Sequence, residues 1–178
     1  MAIKSTIFKA ELSISDMDRH YYENHQLTIA RHPSETDERM MLRIAIFALH
    51  ANELLSFTKG LSTDDEPDLW QKSLSDEIEL WIDLGQPDEK RVRKACGRSK
   101  QVYVYCYSTK SAVVWWQQVK IKFSRFENLT VRHISAEIAE LLGQLAEKNM
   151  ELQCSIQDEV LWMSNGEKTV EIVIDHWN

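Results

Sequence analysis

An aspartate stands inside a run that otherwise reads as a buried strand. Ile78, Leu80, Ile82 and Leu84 alternate with Glu79, Trp81, Asp83 and Gly85. Period two means a strand with one fully apolar face, and it places Asp83 on the same side as Trp81. A carboxylate buried there without a partner is costly. The chain must therefore supply a cation, a hydrogen-bonding group or a proton.

Other segments carry clear periods. Phe8, Ala10, Leu12 and Ile14 share one face and Lys9, Glu11 and Ser13 the other, which predicts a half-buried strand. A second strand is expected over 26–30. Pro33-Ser34, with Asp37 three residues beyond the serine, reads as a capping-box-like helix start. Met41, Ala45, Ala48, Asn52 and Leu55 then step along one face, so the spacing predicts a helix over 35–57 with Gly60 as its stop. A polar loop over 62–68 follows. Pro87 opens a shorter helix that carries Asp88 and Glu89 in its first turn and closes at Gly97. Strands are expected over 102–107, 129–134, 152–156, 160–163 and 169–174, with Asn165-Gly166 as the turn between the last two. Helices are expected over 111–120 and around Ile138, Leu141, Leu142 and Leu145. The sum is a mixed α/β fold with a large, mainly antiparallel sheet component.

Length and charge narrow the function. The 178 residues fit one ordinary domain spanning the whole chain. No run approaches the roughly 18 apolar residues of a membrane span. The first nine residues lack the apolar stretch of a signal peptide. Cys96, Cys106 and Cys154 are odd in number and form no CxxC pair, which argues against a disulfide framework or a cysteine zinc site. The reading is three buried thiols and a cytoplasmic chain. A net charge of -7 argues against a whole surface that grips nucleic acid, and leaves room for a local basic patch.

Three acids occupy positions that solvated charge does not explain. Glu38 lies on the apolar stripe of the first long helix, Asp68 follows Pro67 at the end of the polar loop, and Asp83 lies mid-strand. A loop Asp, a strand Asp and a helix Glu could converge on one hard cation, since Mg²⁺ or Mn²⁺ takes oxygen ligands and can activate water for phosphodiester hydrolysis. The structural alternative pairs Asp83 with an arginine such as Arg39 or Arg43. Both stay open at this level.

Longer blocks add a resemblance. Residues 30–43 (ARHPSETDERMMLR), 57–70 (FTKGLSTDDEPDLW) and 79–96 (ELWIDLGQPDEKRVRKAC), with Trp115-Trp116-Gln117-Gln118 and Ser155-Ile156-Gln157-Asp158, resemble the YaeQ family along the whole chain. That resemblance implies a compact variant of the restriction-endonuclease-like, PD-(D/E)xK core: a mixed sheet flanked by helices, with extra antiparallel strands at both termini. It implies metal ligation by Glu38, Asp68 and Asp83, with Asp68 and Asp83 also catalytic. The motif expects a lysine two residues after the second acid, where this chain has Gly85. Lys90, Arg91 and Lys94 on the next helix are the substitutes, and Lys94 is the favoured one. The short stretch between Phe57 and Ile78 leaves little room for the usual core strands, so the N-terminal strands are expected to supply part of that sheet.

Other chemistries lack support. The six histidines show no HExxH spacing, and no GxGxxG or GxxxxGK[ST] is present. Tyr103, Tyr105 and Tyr107 on one strand face could stack bases, but such rows more often belong to a core. Two functions follow as expectations. One is a nuclease-like protein using Mg²⁺ or Mn²⁺ on nucleic acid. The other is a nuclease-fold module that binds nucleic acid or a protein partner in a regulatory role without cutting.

Overall fold

The computed structural model describes residues 4–59 and 65–178. Gly60, Ser62, Thr63 and Asp64, which belong to the predicted helix stop and polar loop, lie outside the described residues. The elements run β1 (Thr6–Asp16), β2 (Tyr21–Arg31), α1 (Asp37–His50), β3 (Leu55–Phe57), β4 (Leu69–Lys72), β5 (Ile78–Leu84), α2 (Glu89–Arg98), β6 (Ser99–Cys106), α3 (Lys110–Phe123), β7 (Leu129–His133), α4 (Ala136–Gly143), β8 (Asn149–Gln157), β9 (Val160–Ser164), β10 (Thr169–Ile172) and β11 (Asp175–His176). They divide into two compact units. Unit 1 holds residues up to Ala51 together with Glu137–Ile174, and unit 2 holds Asn52–Ala136 together with Asp175–Asn178.

Unit 1 is built on a five-stranded sheet ordered β10-β9-β8-β1-β2. The alternation in β1 sets its register. Ala10 lies between Leu27 of β2 and Met150 of β8, and Phe8 lies beside Ile29. All five side chains are buried. β1 runs antiparallel to β2 but parallel to β8, which pairs the first strand of the chain with a strand 140 residues later in the sequence order, as Lys9 opposite Asn149 illustrates. The β8–β9 connection is a two-residue turn at Asp158 and Glu159, both with positive φ (53° and 63°). It lacks the usual glycine. The Asp18 carboxylate accepts both of its backbone N–H groups, at 2.8 and 2.9 Å, and so holds the left-handed conformation.

Unit 2 is built on a six-stranded sheet ordered β11-β7-β6-β5-β4-β3. β5, β6 and β7 are parallel, joined by α2 and α3, while β3 and β4 add on antiparallel. Trp81, Val102, Val104 and Val131 face Val92 and Ala95 of α2 and Ala112, Trp115 and Phe123 of α3 in one apolar cluster. The stretch between Phe57 and Ile78 does carry a sheet strand, β4. The N-terminal strands belong to the other sheet, which corrects the expectation that they complete this one.

Two local expectations also change. α1 starts after Thr36, whose hydroxyl accepts the Arg39 N–H at 3.2 Å, so the serine at position 34 is not its cap. It ends at His50 rather than 57. The Asn52 side-chain oxygen accepts the N–H groups of Leu54 and Leu55, at 2.7 and 3.0 Å, and turns the chain into β3. Asn52 reads in sequence as part of the helical stripe, yet its short amide competes with the helix for backbone donors. In α4, Ala139 and Leu142 face inward and Leu141 is half-exposed.

Candidate functional site

Asp68 and Asp83 come together on unit 2. Leu69 pairs with Ile82 across β4 and β5, so Asp68, just before β4, stands opposite Asp83. Side chains so placed lie about 5 Å apart at their Cβ atoms. The Asp68 N–H donates to the Ile82 carbonyl at 3.0 Å, and its Oδ2 accepts the Leu84 N–H at 2.8 Å. Both aspartates are buried, at 5% and 3% exposure.

The cation that satisfies Asp83 is Arg91. Its Nε donates to Oδ2 at 2.8 Å and its Nη2 to Oδ1 at 3.0 Å, so both carboxylate oxygens face one guanidinium. Such a fork is stronger and more directional than a lysine contact. The local sequence dictates it. Asp83 shares the sheet face of Trp81, which is the face that α2 covers. Asp88 caps α2 by accepting the Arg91 N–H at 2.8 Å, which fixes Arg91 in the first turn. Nη2 also donates to the Glu66 carbonyl at 2.9 Å, and the guanidinium carbon lies 5.9 Å from the Trp81 ring centre. Burial pushes the Asp83 pKa upward, the Arg91 hydrogen bond and charge pull it back, and the Asp68 charge adds a further upward push.

The structural alternative of a paired Asp83 therefore holds with a different arginine. Arg39 and Arg43 both turn to Glu35, with Arg39 Nη1 at 2.8 Å from Oε2 and Arg43 Nη2 at 2.5 Å from Oε1. Glu35 is buried and precedes the helix cap, outside the stripe that drew attention to Glu38. Glu38 belongs to unit 1, in the first turn of α1. A Cβ at residue 143 would meet its Cγ at 2.9 Å, so the glycine lets Glu38 lie close against α4. Lys94 is half-exposed and pairs with Asp65, whose backbone carbonyl also accepts from Arg98 at 3.0 Å. Gly85, at the motif-lysine position, has φ +113° and donates its N–H to the Tyr105 carbonyl at 2.8 Å. That backbone conformation excludes a lysine there without strain.

Among the described residues, no group of three or more His, Cys, Asp or Glu side chains is placed to hold a metal ion. Both oxygens of Asp83 are turned to Arg91, and one oxygen of Asp68 to a backbone N–H. As arranged, these residues do not fit a divalent ion. Cysteine chemistry has no footing either. Desolvation raises the thiol pKa of Cys96 to about 11 and of Cys106 and Cys154 to about 12, and all three are free thiols. In the tyrosine row, Tyr105 is buried and its ring stacks on that of Tyr103 at 6.1 Å.

A polar cluster that sequence reasoning missed lies at the C-terminal ends of β6 and β7. His133 Nδ1 is 3.0 Å from Asp175 Oδ2 and its Nε2 is 2.7 Å from the Ser108 carbonyl. Its ring stacks on Trp177 at 4.5 Å and 9°. Nearby, Gln86 donates to Ser108 and Ser111 at 3.2 and 2.9 Å. No spacing announces this group, because Asp175 lies 42 positions beyond His133.

No helix is long and apolar enough to cross a membrane among the described residues. The family described as YaeQ protein matches residues 1–174. The chain is 42% identical over 177 residues to the protein called "Uncharacterized protein YaeQ" of Escherichia coli (strain K12), covering 99% of this chain and 98% of that one. The Salmonella typhi protein of the same name shows the same identity and coverage. The crystal structure of YaeQ protein from Xanthomonas axonopodis pv. citri superposes with a TM-score of 0.95 at 45% identity, covering 98% of each chain. That of YaeQ protein from Pseudomonas syringae gives 0.93 at 33% identity, covering 98% of this chain and 96% of that one. With whole-chain agreement in both sequence and structure, this chain belongs to the YaeQ family.

Proposed function

We propose that unit 2 carries a restriction-endonuclease-like core that works by binding a partner and does not cut. The observation that carries this reading is the Arg91–Asp83 bridge, which takes up both oxygens of a carboxylate whose side chain is only 4% exposed. The strained backbone that a lysine would need at Gly85 supports it further. Several cations around α2 are already engaged by acids of the same unit, which favours a protein partner over a phosphate backbone. Lys94 pairs with Asp65, Arg93 and Arg125 with Glu89, and Lys100 with Glu77 and Glu79. The test incubates the purified chain with pooled single- and double-stranded DNA and RNA in Mn²⁺. No cleavage is expected beyond that of an Asp68→Ala/Asp83→Ala control. Cleavage that needs Mn²⁺ and disappears in the control overturns the reading. Pull-downs with and without nuclease treatment separate a protein partner from one bridged by nucleic acid.

A second reading is an Mg²⁺- or Mn²⁺-dependent nuclease with Asp68 and Asp83 of unit 2 as ligands and Lys94 stabilising the phosphate. The observation in its favour is the direct opposition of Asp68 and Asp83, two like charges whose mutual repulsion a divalent ion would relieve. It requires Arg91 to leave Asp83 and Lys94 to leave Asp65. Calorimetric titration with Mg²⁺ or Mn²⁺ that gives no binding heat removes the metal from this reading.

A further inference from the structure

The geometry points to Asn165 as a site of covalent self-modification: its side-chain amide cyclises onto the Gly166 nitrogen and is replaced by a carboxylate, with water as the co-reactant. The site lies in unit 1 and is independent of the reading of unit 2 above.

Residues 165–168 join β9 to β10, and Ser164 pairs with Thr169 at the base of the turn. Within the turn the Asn165 side chain acts as a backbone acceptor would. Its Oδ1 accepts the N–H groups of Glu167 and Lys168, at 3.0 and 2.8 Å. Two donors on one amide oxygen polarise the carbonyl. They also stabilise the negative charge that this oxygen gains when a nucleophile adds to Cγ. The nucleophile is the next nitrogen in the chain. Gly166 has φ +93° and no atom within 4 Å of where a Cβ would stand, so base and water reach it freely. Its N–H donates to Ser164 Oγ at 3.1 Å, a hydroxyl through which the proton can pass to solvent. The leaving amide, Nδ2, makes no hydrogen bond among the described residues. The other internal asparagines lack this combination. The Asn52 Nδ2 donates to Gln71 Oε1 at 2.6 Å, and the Asn128 Nδ2 to the carbonyls of Cys96 and Ser99 at 3.0 and 2.9 Å. Asn24 and Asn149 lie in strands, and neither precedes a glycine.

The step balances without an oxidant. The Gly166 nitrogen bonds to Cγ as its proton leaves, the Cγ–Nδ2 bond breaks, and Nδ2 takes up a proton and departs as ammonia. Water then opens the cyclic imide. Opening at Cγ gives aspartate, and opening at the backbone carbonyl gives isoaspartate. Either product adds a negative charge to a cleft of about 630 Å³ that Glu11, Glu147, Glu151 and Glu167 already line. Only isoaspartate lengthens the backbone, so only it disturbs the pairing of Ser164 with Thr169.

The experiment ages the full chain in mildly alkaline buffer, folded and in urea, and maps each asparagine by peptide mass spectrometry. A gain of about one dalton is expected at Asn165 of the folded chain, at least about tenfold faster than at Asn24, Asn52, Asn128 or Asn149. Both products are expected, with isoaspartate detected by an isoaspartyl methyltransferase. Asn165→Gln, whose longer side chain disfavours the cyclic imide, should abolish the product at this position. Asn165→Asp keeps the Oδ1 acceptor and should melt with the parent chain, whereas the purified isoaspartate form should melt below both. The inference is overturned if Asn165 of the folded chain outlasts that of the urea-unfolded chain by tenfold, since the turn then protects the amide. It is also overturned if aspartate forms without isoaspartate, because the amide is then hydrolysed directly and Gly166 is not the nucleophile.

Discussion

Asp83 is the residue at which stability and site chemistry meet. Its carboxyl is pushed above its ordinary value of 3.8, first by burial and then against the counter-pull of Arg91. A carboxyl with a raised folded pKa holds its proton longer in the folded chain than in the unfolded one. Stability from this group is therefore full below the ordinary carboxylate value and falls as pH rises from there through the folded value. This is the opposite of an aspartate whose ion pair dominates. The expected result is that the stability of the parent chain relative to Asp83→Asn declines between about pH 4 and its folded pKa, then stays flat. Urea unfolding at a series of pH values measures it, and a relative stability that rises across that window would show that Arg91 outweighs burial. The position of Asp83 was legible in sequence because an acid inside a period-two apolar run has few innocent explanations. Its partner was not. Arg39 and Arg43 looked suitable because they lie on an apolar helix, but nothing in the spacing reveals that Glu35 claims both. The hydrogen-bonded first turn of α2 decides that Arg91 reaches back to β5.

At the scale of elements, legibility followed the strength of the local signal. β1 and β5 emerge where their periods place them, since each carries a face that must be buried, whereas the valines and tryptophans of α3 suit strand and helix alike. The start and stop of α1 did not, because Thr36 and Asn52 act through local side-chain hydrogen bonds that any nearby Ser, Thr or Asn could have offered. The parallel β1–β8 ladder was illegible for a different reason. Pairing partners far apart in sequence leave no local trace. What anchors α1 within unit 1 is the Glu35 fork. Glu35 is 2% exposed in its side chain, Arg39 10% and Arg43 4%, and Arg43 also donates to the Ala30 carbonyl at the end of β2, at 3.1 Å. This ties the segment before the helix to the helix and to the sheet. Replacing the acid removes the carboxylate that two buried guanidinium groups share, so Glu35→Ala is expected to cost about 3–5 kcal/mol. Changing all three residues to apolar ones of similar size should cost much less, because the desolvation penalty leaves with the charges. Equilibrium urea denaturation of both variants distinguishes a deleted partner from a deleted network. A loss below about 1 kcal/mol in Glu35→Ala would show the fork to be solvated in solution.

Across the whole molecule, the two units share the chain evenly but not its charge. Unit 2 has as many basic as acidic residues, so the net charge of -7 belongs to unit 1. A sequence-wide charge hides that division. Non-specific attraction to nucleic acid has no basis in either unit's net charge, although local patches remain free to act. The chain leaves unit 1 after Ile174, and its last four residues belong to unit 2. There β11 pairs with β7, the Trp177 N–H donates to the Val131 carbonyl at 3.2 Å, and the Asn178 side chain bridges the Val131 N–H and the Leu129 carbonyl at 2.7 and 3.0 Å. His133 holds the start of this segment through Asp175 while it donates to Ser108. Trp177 stacks on that ring and meets Trp116 at 5.8 Å. Without residues 175–178, β7 becomes an open edge and an aromatic contact leaves the cluster. Truncation after Ile174 is expected to destabilise unit 2 by about 2–4 kcal/mol. It should also raise the tendency to associate through the freed strand. Hydrogen exchange supplies the sharper readout, because the Val131 amide loses its acceptor and should exchange faster while amides in β1 and β8 keep their protection. Trp177→Ala, which keeps the backbone ladder, should lose stability without freeing that amide. If truncation leaves the Val131 amide protected, the C-terminal strand does not seal this edge in solution, and the sheet of unit 2 ends at β7.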